Sequence, residues 1–452
     1  SSGTSTAVSG SFTGITVSGF CSFTITNNTI GNGEARNIQI GHALTGGFLS
    51  NAGTLVPTNV GVSANFYGII SSSSGNTLAV NNNTIRGWTM SCAIVFNKGI
   101  EATGALTGLS ASVNVNNNII GTSSVNWLHS TVNNGGFVYT INVTNTGATT
   151  YNIKDNNIQG TFFGTQSSVG GVFIRLTAAA TTNNISTISG NRFINNDFRF
   201  SAATWFFIFT NGNLSSTGRL VVDDNKIVGN FTLTGDAELR MLHSNLNTVS
   251  GSQVNITNNE FENVSASGVF YTGFNGLYSF YNGNPCTLTV SNNIFNNWTS
   301  GDGYLTGINI SGLTGTATCS NNIVSNITCN GDLEGINLSP VGSSGQFTLL
   351  NNSISELNSG GGYIYGISGN IPLVPNTVQI NINNNSIHGL TSSYATGEIA
   401  GIYLFSGHAS TTVSITGNKI FDLSETASGS YVYGIFTEPT LAATVTYSNN
   451  YI

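Results

Sequence analysis

The octapeptide Val413-Ser414-Ile415-Thr416-Gly417-Asn418-Lys419-Ile420 decides the fold, because its pattern recurs along the whole chain. An apolar residue occupies the first, third and last positions, and an Asn always stands two residues before the last one. Successive copies are 29 to 38 residues apart, except for a first interval of 55. Such a period is the signature of a stacked repeat protein. The 13 copies of the fixed Asn are Asn28, Asn83, Asn118, Asn156, Asn191, Asn225, Asn259, Asn293, Asn322, Asn352, Asn385, Asn418 and Asn450.

The position before the fixed Asn holds nine Asn, two Asp and two Gly, and no other residue type. These three types tolerate the left-handed backbone region better than other residues. The pattern therefore predicts a sharp turn at the same place in every repeat. The fixed Asn is then expected to bond to its equivalents in the repeats above and below, as in stacked Asn ladders about 4.8 Å apart.

The composition favours one long solenoid over several globular domains. Charged residues make up 6% of the 452 residues, and hydrophobic residues make up 39%. An average domain has roughly 25% charged residues. The net charge of -7 comes without a basic patch interleaved with aromatics, so nucleic acid is not an expected partner. No apolar run reaches the roughly 18 residues of a membrane-spanning helix.

Two further registers complete the repeat. From Asn259 onward an apolar residue stands five positions after the fixed Asn, and a Gly-apolar pair follows, as in Gly307-Ile308 and Gly366-Ile367. We also place such a pair at Gly268-Val269. Three short apolar segments with strand-type alternation predict three strands per coil. The expected fold is an all-β, right-handed parallel β-helix of about 13 coils.

The N-terminal region departs from the regular period. Residues 1–22 are predicted to form a partial coil, with a short strand at Gly14–Val17. Residues 42–66, from His42 to Phe66, are interpreted as a loop excursion from the solenoid wall, since insertions in repeat proteins loop outward. A degenerate coil that has lost its Asn motif is the alternative. Residues 37–40 and 67–70 are predicted strands on either side.

On these 13 motifs the chain resembles right-handed parallel β-helices of the pectin-lyase-like type. It is similar in particular to Asn-rich repeats of secreted and surface proteins that the type IX system of Gram-negative bacteria exports. The resemblance implies a solenoid over nearly the whole chain and an extracellular or cell-surface location. It does not imply one function, because the same scaffold serves lyases, hydrolases, adhesins and structural fibres.

Polysaccharide-cleaving enzymes of the pectin-lyase-like type need charged side chains that converge on one site, since glycoside cleavage requires two carboxyl groups. Only 18 Asp and Glu are present. Alignment on the fixed Asn places Arg192, Lys226 and Glu260 in one column, so we predict that Lys226 lies beside Glu260 and near Asp224. This arrangement indicates surface ion pairing. No catalytic residue is assigned, and the chain is expected not to be an enzyme.

Few residues have the spacing of a metal site. Asp302, Asp332 and Glu334 fall in equivalent turns of adjacent coils, where oxygen ligands would suit Ca²⁺. Two ordinary Gly-Asp turns are the alternative. None of the five His shares a column with another, so no His-based site is predicted. The five Cys form no C-x-x-C pair, and Cys319 is predicted to be a buried apolar residue.

Two classes of function remain open. The first is a non-enzymatic extracellular rod, such as a fibre, a surface coat or an adhesin stalk. The second is a polysaccharide-binding or polysaccharide-cleaving β-helix with a glycan ligand. The observation that separates them is whether several aromatics line one groove with two carboxylates. The candidate aromatics are Tyr271, Tyr278, Tyr281, Tyr304 and Tyr363.

The phase of the repeat predicts a continuation beyond both ends. Joining residue 452 to residue 1 separates Asn450 from Asn28 by 30 residues, which lies within the range of the regular intervals. Two expectations follow from this match. Either identical chains stack head to tail in a filament through a non-closing interface, or the chain is a segment of a longer array.

Overall fold

A computed structural model gives the fold of most of the chain. It describes residues 10–31, 38–41, 63–91, 93–108, 110–122, 128–130, 137–160, 162–163, 170–178, 183–199, 204–234, 238–267, 270–280, 285–301, 303–313, 315–339, 344–370, 377–405, 411–427, 429–438 and 444–452. Within these ranges the chain forms strands and turns, and it contains no helix long and apolar enough to cross a membrane.

The described residues form 42 strands, numbered β1 to β42 in chain order, in three sheets whose described pairings are all parallel. Sheet A consists of β1 (Gly10–Gly19), β5 (Ser63–Ser73), β9 (Ala93–Thr103), β13 (Phe137–Val143), β17 (Gly170–Ala178), β20 (Trp205–Asn213), β23 (Leu239–Asn247), β26 (Phe270–Phe280), β29 (Gly303–Ser311), β32 (Leu333–Ser339), β35 (Ile364–Asn370), β38 (Glu398–Phe405) and β41 (Tyr431–Glu438). Sheet B consists of β2 (Phe23–Thr26), β6 (Thr77–Asn81), β10 (Ser112–Asn116), β14 (Thr150–Lys154), β18 (Ile185–Ser189), β21 (Arg219–Asp223), β24 (Gln253–Thr257), β27 (Thr287–Ser291), β30 (Thr316–Ser320), β33 (Ser344–Leu350), β36 (Thr377–Asn383), β39 (Thr412–Thr416) and β42 (Thr444–Ser448). Sheet C consists of β3 (Thr29–Ile30), β7 (Thr84–Ile85), β11 (Ile119–Ile120), β15 (Asn157–Gln159), β19 (Arg192–Arg199), β22 (Lys226–Thr234), β25 (Glu260–Ala266), β28 (Ile294–Ser300), β31 (Ile323–Cys329), β34 (Ser353–Ser359), β37 (Ser386–Ser392) and β40 (Lys419–Glu425), with β4 (Ile38–Gly41), β8 (Trp88–Ser91), β12 (Leu128–Ser130) and β16 (Phe162–Phe163) as a side row.

The predicted parallel solenoid is confirmed, because each coil contributes one strand to each sheet. The chain passes from sheet A to sheet B and then, through the Asn turn, to sheet C. Side chains of all three sheets that point inward form one continuous apolar cluster from Ile25 to Ile420. Each coil can bury this surface only against its neighbours, so the stability of the rod is shared along its length.

The predicted Asn ladder is present at every step between Asn28 and Asn450. The backbone N–H and the side-chain Nδ2 of each fixed Asn both donate to Oδ1 of the next one, with Nδ2–Oδ1 distances of 2.8 to 3.1 Å. From Asn83 to Asn418 these residues are at most 1% exposed. The amide side chain therefore provides hydrogen-bond partners for buried polar groups at the sharp turn, which have no partner within the sheets.

The left-handed turn is also confirmed. The residue before the fixed Asn has a φ between 51° and 68° in all 13 copies, including Gly190 and Gly417. We therefore expect Asn321→Val to lower the free energy of unfolding by about 2 kcal/mol, since a β-branched residue is strained at positive φ. Asn321→Gly should stay close to the wild type. Thermal melts of the two variants test this, and equal melting temperatures would contradict it.

A second left-handed column, which the sequence patterns did not predict, runs along sheet C. It begins at Asn195 and passes through Asn263, Asn297 and Glu356 to Asp422, with φ values of 45° to 59° at these five positions. Each of the last four precedes a predicted apolar position of the second register. The signal in the sequence was the recurrence of Asn, Gly or Asp there, which Glu356 interrupts.

The inward residue before the central apolar position of each sheet A strand varies in size along the rod. In many coils it is Gly, and a Cβ at Gly335 would lie 2.7 Å from Cγ2 of Ile354 across the core. In the middle of the rod Phe173 and Phe207 take this position, and their ring centroids lie 4.9 Å apart. Sheet C side chains fill the space beside each Gly of this column, whereas Phe173 and Phe207 extend from sheet A into the core and pack against Phe193 of sheet C.

The N-terminal predictions have mixed outcomes. β1 is longer than the strand predicted at Gly14–Val17, and the two strands predicted at 37–40 and 67–70 correspond to β4 and β5. Residues 1–9 and 42–62 lie outside the described residues, whereas 63–66, which we assigned to the loop excursion, belong to β5.

Two further sequence assignments can be compared with the structure. Gly276-Leu277, and not Gly268-Val269, occupies the Gly-apolar position of its coil, because Leu277 pairs with Ile308. Gly268 and Val269 lie outside the described residues. Cys319 is buried as predicted, at 1% exposure, and it carries a free thiol.

Candidate functional site

Aromatic and charged side chains are concentrated on the outer face of sheet A. The first outward column of this face holds Tyr67, Lys98, Tyr139, Val172, Phe206, Arg240, Asn275, Thr306, Glu334, Tyr365, Ala400 and Tyr433. The second holds Glu101, Asn142, Arg175, Phe209, His243, Tyr278, Asn309, Asn337, Ser368, Tyr403 and Phe436. The outward columns of sheet B are instead mostly Ser, Thr and Asn. The outer faces of sheets A and B thus differ in chemistry.

Near the N-terminal end of this face, the cations lie over aromatic rings. Lys98 pairs with Glu101 and lies 5.6 Å from the Tyr67 ring centroid. Arg175 lies 5.5 Å from the centroid of Tyr139. Such contacts hold the cation stems against the sheet and neutralise charge locally.

In the middle of the face lies the Arg240 cluster, which consists of Phe209, Glu238, Arg240, His243 and Tyr278. Arg240 Nε donates to Glu238 Oε1 at 2.7 Å, and Arg240 Nη1 lies 2.7 Å from His243 Nδ1. The guanidinium carbon lies 4.1 Å from the Tyr278 centroid. His243 stacks between Phe209 and Tyr278 at centroid distances of 4.9 and 5.1 Å.

The protonation state of the Arg240 cluster follows from this packing. Burial, with a smaller contribution from the charge of Arg240, lowers the pKa of His243 to about 3. The neutral imidazole then accepts a hydrogen bond from Arg240 through Nδ1. A general acid or base near neutral pH needs a pKa close to 7. His243 therefore holds Arg240 in place and does not exchange protons at physiological pH.

The Glu334 cluster lies further along the face and consists of Tyr304, Asp332, Glu334, Asn337 and Tyr363. The Tyr304 hydroxyl donates to the Glu334 carboxylate, and Asn337 Nδ2 donates to Glu334 Oε2 at 2.9 Å. Asp332 Oδ1 accepts the backbone N–H of Tyr363 at 3.2 Å. Burial raises the pKa of Glu334 to about 7, against the opposing hydrogen bonds.

A carboxyl group with such a pKa is one of two that glycoside cleavage requires. Glu334 is 5% exposed, and its Oε2 accepts hydrogen bonds from both Tyr304 and Asn337. In this geometry the Glu334 carboxyl group lies against the sheet and is largely shielded from solvent.

Titration of Glu334 is expected to make stability depend on pH. Its folded pKa lies above its ordinary value of 4.5, so its contribution is fully present below pH 4.5 and is lost as the pH rises through about 7. The loss is up to about 3 kcal/mol. Asp332 and Glu398 also have raised pKa values and act in the same direction.

Chemical denaturation between pH 4.5 and pH 8 measures how steeply the free energy of unfolding falls with pH. Glu334→Gln should make this slope smaller and leave only the contributions of Asp332 and Glu398. The exposed Glu438→Gln removes a carboxyl group from the same sheet and is the matched control. A variant Glu334→Gln with the full wild-type slope would contradict the assignment.

An aromatic stack covers the C-terminal part of the face. The Tyr363 and Tyr365 ring centroids are 4.7 Å apart, those of Tyr365 and Tyr403 are 4.3 Å apart, and those of Tyr403 and Phe436 are 5.0 Å apart. The interplanar angles are 9° to 19°. Tyr363 and Tyr365 stack within one coil, and the stack continues through Tyr403 and Phe436 of the next two coils. A sugar ring that packs on an aromatic needs an open ring face, and within this stack the faces contact neighbouring rings.

Of the five Tyr residues proposed from the sequence, Tyr278, Tyr304 and Tyr363 lie on this one face. The side chains of Tyr271 and Tyr281 lie outside the described residues. Tyr278 contacts Arg240, and the other two contact the acidic residues of the Glu334 cluster. The structure thus brings aromatic and acidic residues together, and the sequence could not show that their polar groups bond to each other.

The charged column predicted near the middle of the chain lies on sheet C. Lys226 Nζ is 2.8 Å from Glu260 Oε1 and 3.5 Å from Asp224 Oδ1, as predicted. Arg192 Nη2 also pairs with Asp224 at 2.9 Å. The hydrogen bond and charge of Arg192, with the charge of Lys226, hold the pKa of Asp224 below its usual value although burial opposes them. These ion pairs are partly exposed to solvent, and each contributes little to stability.

The structure describes two of the three candidate calcium ligands. Asp302 lies outside the described residues, while Asp332 and Glu334 accept the hydrogen bonds given above. Among the residues that the structure describes, no three His, Cys, Asp or Glu are grouped as a metal site. Of the five His, the described side chains are His243 on sheet A and His388 on sheet C.

The fold and the three faces define the chain as a parallel β-solenoid with an internal asparagine ladder. Comparison with protein-family models, with curated proteins and with solved structures finds no match.

Proposed function

We propose that this chain is a non-enzymatic structural rod that acts outside the cell, as part of a surface fibre, coat or adhesin stalk. The observation that carries this proposal is the Asn ladder, which runs without interruption from Asn28 to Asn450. A continuous ladder with a continuous core couples every coil to the next, and such coupling suits a part that bears load or holds a distance.

The outer faces support the same proposal. The ion pairs of the sheet A face, Lys98–Glu101 and Arg240–Glu238, are half-buried, and each joins two residues of that same face. The outward rings of Tyr365, Tyr403 and Phe436 stack on each other. These groups stabilise the outside of a rod whose charge is too low for extensive ion pairing.

The resemblance to Asn-rich proteins exported by the type IX system supports the proposed location. End-to-end association of identical chains remains a prediction. The alternative function, binding or cleavage of polysaccharide, would use the outer face of sheet A, where Glu334 is the most perturbed carboxyl group.

Two measurements test the proposal. Incubation of the purified chain with pectin, alginate or chondroitin should release neither reducing ends nor unsaturated products. Immunogold electron microscopy of the source cells should label the cell surface. Sugar release that is lost in Glu334→Gln would favour the enzymatic alternative, and label confined to the cell interior would overturn the proposed location.

A further inference from the structure

Charge is distributed unevenly along the rod. Residues 1–240 contain ten Lys or Arg and eight Asp or Glu, whereas residues 241–452 contain ten Asp or Glu and one cation, Lys419. The formal net charge is therefore +2 in the first part and -9 in the second. Lys419 begins β40 of sheet C, so no Lys or Arg follows Arg240 on the outer face of sheet A. The carboxylates on the C-terminal part of that face have no cation of their own sheet beside them.

Aromatic and charged strands alternate on this face, and we call the outward side chains of the sheet A strands from β13 to β41 the alternating face. From β13 to β26 the charged strands carry cations that lie between rings. Arg175 is 5.5 Å from the Tyr139 centroid and 5.9 Å from that of Phe209. Arg240 is 4.1 Å from the Tyr278 centroid. The chain itself thus supplies the cations of this part.

Carboxylates replace the cations from β29 to β41. The Tyr304 hydroxyl of β29 donates to Glu334 of β32. The Tyr365 hydroxyl of β35 donates to Glu398 of β38 at 3.3 Å, and β38 also carries Tyr403. The alternation of rings and charges therefore continues along the face, but the sign of the charge is reversed.

Two charges of opposite sign on the alternating face have no ion-pair partner within the part of the chain that the structure describes. Arg175 donates to the Tyr139 hydroxyl at 3.2 Å, whereas Arg240 pairs with a carboxylate. Glu398 accepts the hydrogen bond from Tyr365 given above. Arg175 and Glu398 are both partly exposed. Each can therefore form an ion pair with a group from outside the chain.

A second copy of the chain fits this pattern when the two rods are antiparallel. A twofold axis that runs parallel to the strands, midway between β26 and β29, sets two alternating faces against each other. β17 with Arg175 then lies opposite β38 with Glu398. β23 with Arg240 lies opposite β32 with Glu334, and the aromatic strands lie opposite aromatic strands. A twofold axis along the rod would instead set each carboxylate strand against itself.

The alternating face has the size and composition of a stable interface. Its ten strands cover about 43 by 17 Å, or roughly 700 Å². A standard interface buries about 800 Å² on each partner and is enriched in aromatic residues and Arg. Nine of the ten strands present a Tyr, Phe or Arg outward. From the complementary charges and this area, we propose that two copies of the chain pair through the alternating face as an antiparallel dimer.

Analytical ultracentrifugation of the whole purified chain measures this pairing, and we expect a dimer at micromolar concentration. Arg175→Glu places like charges opposite each other on both sides of the twofold axis. It should raise the dissociation constant of the dimer at least about tenfold, as should Glu398→Arg. The double variant exchanges the two charges, so it should return to within about threefold of the wild type. Lys154→Glu makes the same change of charge on sheet B and should leave the dissociation constant unchanged.

Circular dichroism melts establish that the variants fold. A wild-type chain that stays monomeric at high micromolar concentration would overturn the proposal. So would a dimer that Arg175→Glu leaves intact, or a folded double variant that does not pair again. Oligomers that keep growing with concentration would show end-to-end stacking in place of a closed pair. The dimer goes beyond the proposed structural role, and its absence would leave the cell-surface labelling that tests that role unaffected.

Discussion

Replacement of Asn322 with alanine is expected to lower the free energy of unfolding by about 3–6 kcal/mol. Asn322 Oδ1 accepts both the backbone N–H and Nδ2 of Asn293 at 3.0 Å, and its Nδ2 donates to the Val290 carbonyl and to Asn352 Oδ1 at 3.0 Å. The alanine variant leaves two or three buried polar groups without partners, at roughly 1–3 kcal/mol each. Water cannot replace the amide without opening the coil.

Urea denaturation of the variant measures this loss. Asn381→Ala is the matched control, since Asn381 lies on the outer face of sheet B and solvent can replace its bonds. It should cost less than about 1 kcal/mol. Similar losses of unfolding free energy in the two variants would mean that a ladder Asn contributes no more to stability than an Asn on the outer face. A broadened transition in Asn322→Ala would show that the rod unfolds in two parts that meet at this coil.

Replacement of Gly335 with valine is expected to cost at least about 3 kcal/mol. A Cβ at this position would lie 2.5 Å from the Gly366 carbonyl oxygen and 2.7 Å from Ile354 Cγ2. Both distances are shorter than van der Waals contact, and the first involves backbone of the next coil. The substitution must therefore push strands β32 and β35 apart or displace Ile354 from the core.

Two further variants assign the cause. Thr140→Ala changes the same column in a coil where a side chain is native, and it should cost no more than about 1 kcal/mol. In the double variant Gly335→Val with Ile354→Ala, the loss should be smaller than the sum of the two single losses, because one clash is removed. Strict additivity would show that the backbone contact with Gly366 causes the whole effect.

The local chemistry of the repeat specifies the coil. The fixed Asn, the Asn, Asp or Gly before it and the flanking apolar positions specify a turn that only stacked neighbours can satisfy. All 13 left-handed turns and all 12 steps of the ladder follow from that local chemistry. The pairing of Lys226 with Glu260 was predictable for the same reason, since a constant register places equivalent residues side by side.

The tertiary structure determines which side chains meet across the core and which outward side chains contact each other on each face. Gly335 and Ile354 are 19 residues apart and meet only because two sheets close on one another. That closure also explains why Phe173 and Phe207 can stand where most coils have Gly. The hydrogen bonds of Arg240 and Glu334, and the different outer faces of sheets A and B, depend on it as well. Contacts along the rod repeat with the sequence, whereas contacts between sheets depend on side-chain volume and burial, which no single repeat encodes.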